Sequence, residues 1–335
     1  MFGRENTSYS RTQNGLKATN VMANNGADPS RNFLRAAQHG DLDKLKELSQ
    51  RYEIQDWTVY RHDSTGDTAL HIAAREGHLE IAKCLCNDWS YPAFKVDVTN
   101  KDMKRPLHDA SQFAHSDIVE FLIDQGAEVD ALKRADWTPL MLACTKSGPD
   151  AEISVNRLLR AGANPIIRNK DGWTPLLLAS RTGDVSIIKT LLQQPTVVPT
   201  TASNNGRTAL HIAAFHGCVG ALSILLSAEP ALIGICDSSG STPLHEAVKS
   251  ENFRAFESLI KFGANARQTD GVGQTILHLA ATVGNSPAVE YIIGNKLVDC
   301  QCRDNYGATP LVCAERSGME SIVGLLHRFE EQALI

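Results

Sequence analysis

Aromatic residues are scarce in this chain: Phe, Trp and Tyr make up 6% of 335 residues, while 42% of the sequence is hydrophobic. That combination suits thin layers of small-residue helix packing, filled by Ala and Leu, rather than a core built on rings. No apolar run approaches the length of a membrane span or a signal peptide, which excludes a membrane role and predicts a cytoplasmic, also nuclear, protein. There is no excess of positive charge either. Thirty-three Lys and Arg stand against 38 Asp and Glu, a formal net charge of -5, which argues against a general nucleic-acid binder and leaves room only for a local basic patch. Eight cysteines are present, but without a regular framework. Cys84, Cys86, Cys144, Cys218 and Cys313 read as small buried hydrophobes, and the Cys300–Cys302 pair has no second pair at metal-binding distance. Phosphate-binding glycine loops, H-E-x-x-H and nucleophile elbows are all missing. No enzyme, catalytic residue, metal or cofactor is expected.

What is present is repetition. Asn205-Gly206-Arg207-Thr208-Ala209-Leu210-His211-Ile212-Ala213-Ala214 returns with variations along the chain. Its capping position falls at Thr68, Arg105, Thr138, Thr174, Thr208, Thr242, Thr275 and Thr309, at intervals of 37, 33, 36, 34, 34, 33 and 34 residues. A T-P-L-H-x-A signature at this period resembles the ankyrin repeat family. The resemblance implies an all-α solenoid of helix-turn-helix units with projecting β-turns, elongated and curved, in which each unit buries its apolar side only by stacking. Threonine before the first helix is an N-cap, and proline at the first helical position wastes no donor. His71, His108, His211, His245 and His278 hold a constant offset and are expected to hydrogen-bond near the helix start and support the adjacent turn. Gly126, Gly162 and Gly263 are expected to end their helices in the left-handed region.

Along the chain, residues 1–28 lack either period and read as a disordered tail. Residues 29–64 read as an N-terminal capping repeat and a cover loop containing Trp57 and Tyr60. Residues 65–335 read as eight stacked repeats, the last serving as the C-terminal cap. Two insertions break the period, around Asp88–Phe94 and around Ser147–Asp150, the second between the helices of its unit. Insertions in a solenoid mark surface loops.

The turn tips of the second to fourth units carry the candidate site. Trp137 and Trp173 share one register between tip and capping threonine, and Lys104 and Arg207 hold it in the flanking units. Around them lie Arg105, Lys133, Arg134, Arg168 and Lys170. Exposed tryptophan among arginines has hot-spot composition, and an acidic protein surface would be steered to it. The alternative is that both tryptophans pack flat and staple the neighbouring turn. Asp102, Asp136 and Asp171 dilute the charge and weaken the case for a phosphate-backbone partner.

The K-R-P-L-H stretch at 104–108, K-R-A-D-W-T-P-L-M at 133–141 and N-K-D-G-W at 169–173 are unusual even so, and within residues 95–180 the chain resembles the ankyrin repeat co-regulators of alanyl-tRNA synthetase. That resemblance implies binding to the catalytic part of the synthetase and capture of misactivated serine on lysine side chains. Lys170 falls on one acceptor position. Arg134 falls on a second, with Lys133 beside it as the substitute, and the third lies near Thr200 in a loop without lysine. The alternatives are an ankyrin adaptor for an unrelated protein, and a weak nucleic-acid or metabolite binder acting through the basic turns.

Overall fold

The repeated threonine decides where each unit begins. Thr68 stands in extended backbone (φ -91°, ψ 171°) before α3 (Ala69–Glu76), and His71 closes a capping box with it. His71 Nδ1 accepts from the Thr68 backbone N–H at 3.3 Å and from its hydroxyl at 2.9 Å, while Nε2–H donates to Lys104 O of the following unit at 2.8 Å. One neutral imidazole thus satisfies an orphan helix-start donor and ties two units together. His211 and His278 repeat both halves of this arrangement, reaching Ser241 O at 3.0 Å and Ala308 O at 3.1 Å. Burial pushes all five motif histidines below the ordinary range, His108 to about 3 and His211 to about 4. The expected supporting role holds in full for four of them, His108 reaching Ala131 O and Trp137 O, while His245 caps Thr242 but its Nε2 makes no hydrogen bond among the described residues.

The computed structural model describes residues 28–87 and 96–333. Among them are eighteen α-helices and no strand, with two isolated bridges, Lys133–Trp137 and Ala202–Thr208. First helices stack on first helices, as α11 (Ala209–Phe215) does on α9 (Pro175–Thr182) and α13 (Pro243–Lys249), and second helices stack behind them, as α6 (Ser116–Asp124) does on α8 (Pro149–Arg160). The alanine of the motif explains the close approach. Ala73, Ala110, Ala143, Ala179, Ala213, Ala247, Ala280 and Ala314 are all fully buried, one per unit, forming a column along the stack. Any larger side chain there would force the helices apart.

At the N-terminal end Asp28 caps α1 (Pro29–His39) through the Ser30 N–H at 3.0 Å. Trp57 is fully buried and donates from Nε1 to Leu85 O at 2.9 Å, and Tyr60 meets Phe33 ring to ring at 5.7 Å. Gly126, Gly162 and Gly263 adopt φ of 83°, 92° and 89°, the expected left-handed form. Two expectations are refined. Of the five cysteines read as buried, Cys84, Cys144 and Cys313 are, whereas Cys86 and Cys218 are half-buried. The extra residues near 147–150 are not all loop. Pro149 and Asp150 open α8, which runs twelve residues after a five-residue α7 (Pro139–Ala143). Proline at the first position and acids in the first turn make that segment a good helix start. The tail over 1–27 and the insertion at 88–94 lie outside the described residues.

Candidate protein-binding face

Five of the turn tips are built by a short side chain folding back on its own backbone. Asn100 Oδ1 accepts from the N–H groups of Asp102 and Lys104, both at 2.9 Å, and Asn169 Oδ1 accepts from Asp171 at 3.0 Å and Trp173 at 2.8 Å. Asp237, Asp270 and Asp304 do the same in later units. Such Asx turns leave the next N–H free to bond elsewhere, and it bonds to the preceding tip. Lys101 N–H reaches Thr65 O at 3.0 Å, Arg134 reaches Asp102 at 2.9 Å, Lys170 reaches Ala135 at 3.1 Å and Asn204 reaches Asp171 at 3.1 Å. Ser238, Gly271 and Asn305 continue the series onto Asn205, Ser239 and Val272. The tips are therefore a ladder of backbone rungs that holds their side chains in one row.

The donor residues of those rungs read Lys101, Arg134 and Lys170, then Asn204, Ser238, Gly271 and Asn305. Positive charge is confined to the first three, and the far end presents apolar groups instead, with Val272 exposed and Tyr306 78% exposed. Lys101 belongs to this basic row, yet the register argument from the tryptophans passed over it. The ladder is what reveals it.

The cations expected on this face fall into two groups. Lys104 is only 15% exposed and is held by buried Asp109 at 2.5 Å and by Gln112 at 2.8 Å. Arg105 is tied to Glu128 and Asp97, and Arg207 to buried Glu246 at 2.7 Å and Asp237 at 3.7 Å. Their charge is matched inside the molecule, so these three serve the stack. Of the remaining four, Arg134, Arg168 and Lys170 face outward and Lys133 is half-buried. Arg134 is 74% exposed, with Asp102 at 3.3 Å as a loose partner, an exposed pair of little net worth. Arg168 donates only to the Ala202 carbonyl at 2.6 Å. Lys170 is exposed, with no side-chain partner among the described residues.

Lys133 is the unusual member. Its ammonium sits 5.5 Å from the Trp137 ring centroid, a cation–π distance. Burial, with the charge of Lys104 nearby, pushes its pKa below the ordinary lysine value. Trp137 and Trp173 are both half-buried and packed against the core, presenting part of each ring rather than standing free. They staple the tips and still flank the lysines.

Two acids that sequence reasoning passed over decide this partition. The residue after histidine in the motif is apolar in six units but Asp109 and Glu246 in the others, and that alternation was the available signal. Asp109 also meets Arg75 at 3.4 Å, and Arg75 meets Asp67 at 2.5 Å. Asp67, His71 and Asp109 bring ligand-type atoms within 4.8 Å of one another. Arg75 and Lys104 already occupy these carboxylates, so the donor set is that of an ion-pair knot rather than a metal centre. No helix among the described residues is long and apolar enough to cross a membrane.

A family model described as ankyrin repeats (3 copies) matches residues 33–133, 130–201, 197–270 and 244–332. B-cell lymphoma 3 protein homolog of Mus musculus is 27% identical over 254 residues, spanning 76% of this chain and 49% of that protein. Transient receptor potential cation channel subfamily A member 1 of Homo sapiens is 28% identical over 303 residues, 87% of this chain and 26% of that protein. Ankyrin repeat and KH domain-containing protein mask-1 of Caenorhabditis elegans is 31% identical over 294 residues, 78% of this chain and 11% of that protein. The chain spans about half the length of these relatives or less.

Proposed function

The chain belongs to the ankyrin repeat family, and on that premise we propose that its basic tips bind the catalytic part of alanyl-tRNA synthetase and accept misactivated serine on Lys133 and Lys170. Ankyrin arrays are protein-interaction modules without catalytic machinery of their own, so the coarser part of this reading, a protein-binding scaffold, follows from the family. The finer part is supported by the resemblance of residues 95–180 to the co-regulators of that synthetase. A single observation carries it: Lys133, a desolvated amine in an acceptor region, is held beside Trp137 on the tip next to that of the unpartnered Lys170.

The chemistry needs nothing more than placement. Seryl-adenylate formed by the synthetase is an activated acyl donor. A neutral lysine amine attacks its carbonyl carbon, AMP leaves with the bonding pair, the nitrogen loses a proton to water, and an Nε-seryl amide remains. Burial of Lys133 raises the neutral fraction of its amine at working pH, and docking supplies proximity. The lysine is consumed, so the protein acts as a stoichiometric trap and not as an enzyme. Arg134 stands at one acceptor position and the loop near Thr200 lacks lysine, which leaves two acceptors. A partner of this kind would place the protein in the cytoplasm, and in the nucleus where the synthetase is present.

The test is a pull-down with purified alanyl-tRNA synthetase, followed by mass spectrometry after incubation with serine and ATP. Capture with a seryl mass increment on Lys133 or Lys170 is expected. Capture without the increment would remove the trapping role, and absence of capture at micromolar concentration would overturn the synthetase assignment. In that event the protein is an adaptor for a different partner, in which case loss of binding should follow Trp137→Ala and Trp173→Ala. Loss only with Arg134 and Arg168 substitutions, at steep salt dependence, would indicate nucleic acid.

A further inference from the structure

A second cationic surface lies beyond the tips discussed above, at the N-terminal end of the stack. A cleft of about 390 Å³ opens between α1, the segment around Arg61 to Asp63, and α3. Arg31 and Arg35 project into it from α1, one turn apart and so on one face. Both are exposed and neither has a side-chain partner among the described residues. Arg61 completes the set from the opposite wall.

Arg61 is the most informative of the three. Its guanidinium is fixed by backbone carbonyls alone, Thr58 O at 3.0 Å, Thr99 O at 2.6 Å and Gly66 O at 3.3 Å. Carbonyls orient a guanidinium without cancelling its charge, and Nη2 keeps no partner among the described residues. Lys101, beyond it on the neighbouring tip, is likewise held by a carbonyl, Asp63 O at 2.5 Å. Within the cleft three arginines thus face two carboxylates, Asp28 and Asp63, and one of those, Asp28, is engaged in capping α1. This contrasts with Lys104, Arg105 and Arg207, each matched by an acid of its own. Leu34 and Ile72 contribute apolar atoms to the lining.

We propose that this cleft docks an acidic peptide segment of a partner protein, with carboxylates on Arg31, Arg35 and Arg61 and an apolar side chain between them against Leu34 and Ile72. Arginine forks pair with carboxylates bidentately, and an arginine already held in place gives up little rotamer freedom on binding. The chain's own first 27 residues do not fit the role, since they carry Arg4, Arg11 and Lys17 against Glu5 alone. The inference does not depend on the synthetase reading, because it uses none of the acceptor lysines or tryptophans.

The experiment measures fluorescence anisotropy of a labelled peptide alternating Glu and Leu, with a Gln-for-Glu peptide as the neutral control, using the full chain. Saturable binding that falls with salt is expected, weakened about tenfold or more by the Arg31→Glu/Arg35→Glu double variant. Binding unchanged by Lys170→Glu would locate it away from the central tips. Equal binding of the Gln peptide, indifference to the double variant, or equal loss with Lys170→Glu would each overturn the proposal. Arg31 and Arg35 are exposed, so folding is controlled by an unchanged circular dichroism spectrum and melting temperature. Arg61→Lys, which keeps the charge but breaks the fork, should also weaken binding.

Discussion

At the residue scale, Lys133 is where local environment changes chemistry most directly. With its pKa below the ordinary lysine value because of burial, its acylation rate by a water-soluble active ester should level off at lower pH than that of a lysine side chain in a short unstructured peptide added as reference. Peptide-resolved mass spectrometry across pH 6–10 checks this, and identical pH profiles would refute it. The backbone beside Lys133 carries strain of the kind that accumulates at working sites. The left-handed position of each tip is glycine in six units, but Met103 (φ 56°) and Asp136 (φ 62°) fill it in the two tips nearest this lysine, and Ala135 (φ 65°) adds a third. Met103→Gly should therefore stabilise the protein by about 0.5–1 kcal/mol in chemical denaturation, relief of the left-handed penalty exceeding the added chain entropy. The register shared by Lys104, Trp137, Trp173 and Arg207 was legible from the period alone. Which cations were free was not. Arg207 meets Glu246 across 39 positions and Arg75 meets Asp109 across 34, and charges separated that far pair only once the stack exists.

At the scale of the element, the histidine capping box couples folding to pH. All five motif imidazoles have folded pKa values below the ordinary one of about 6.5. As pH falls below about 6.5 the unfolded chain takes up protons that the native boxes refuse, so the unfolded state is favoured. Stability is fully present above that pH and is lost downward toward the folded values, about 4 for His211 and about 3 for His108. The melting temperature should hold from pH 8 to 7 and fall steadily from pH 6 to 4.5. His211→Leu should lower stability at pH 7.5 by about 1–2 kcal/mol, from the lost bonds to Thr208 and Ser241, yet flatten the slope in acid. A melting temperature of the parent that is flat across that range would contradict the assignment. Helix positions were readable because threonine, proline and histidine act locally, within four residues. The α7–α8 boundary was less so, since a proline and an acid near an insertion serve a loop and a helix start equally well until the neighbouring unit selects one.

At the scale of the whole molecule, the array is a chain of nearest-neighbour contacts, and its stability depends on interfaces rather than on one centre. That also explains why relatives as unlike as a cation channel and a KH-domain protein are 28% and 31% identical to it over the stretches that align. The alanine column and the capping boxes reproduce the stack, while tip residues such as Arg134, Arg168 and Lys170 are left exposed by it. Two glycines at one register separate interface strength from local conformation. Gly240 and Gly307 have φ of 78° and 77°, so alanine at either carries the same left-handed penalty, about 1 kcal/mol. A Cβ on Gly307 would meet nothing within 4 Å, no further tip packing on it among the described residues. A Cβ on Gly240 would sit 2.4 Å from the Gly271 backbone nitrogen, whose hydrogen bond to Ser239 O is one rung of the ladder. Gly307→Ala should thus cost about 1 kcal/mol with unfolding otherwise unchanged. Gly240→Ala should cost about 2–4 kcal/mol, because the clash forces the rung open as well. Weakening an internal interface, rather than an end, lets the units beyond it unfold separately, so the denaturation curve of Gly240→Ala should broaden or split while that of Gly307→Ala stays a single transition. Equal costs and equally sharp curves for the two variants would mean that the tip ladder contributes nothing to coupling between units.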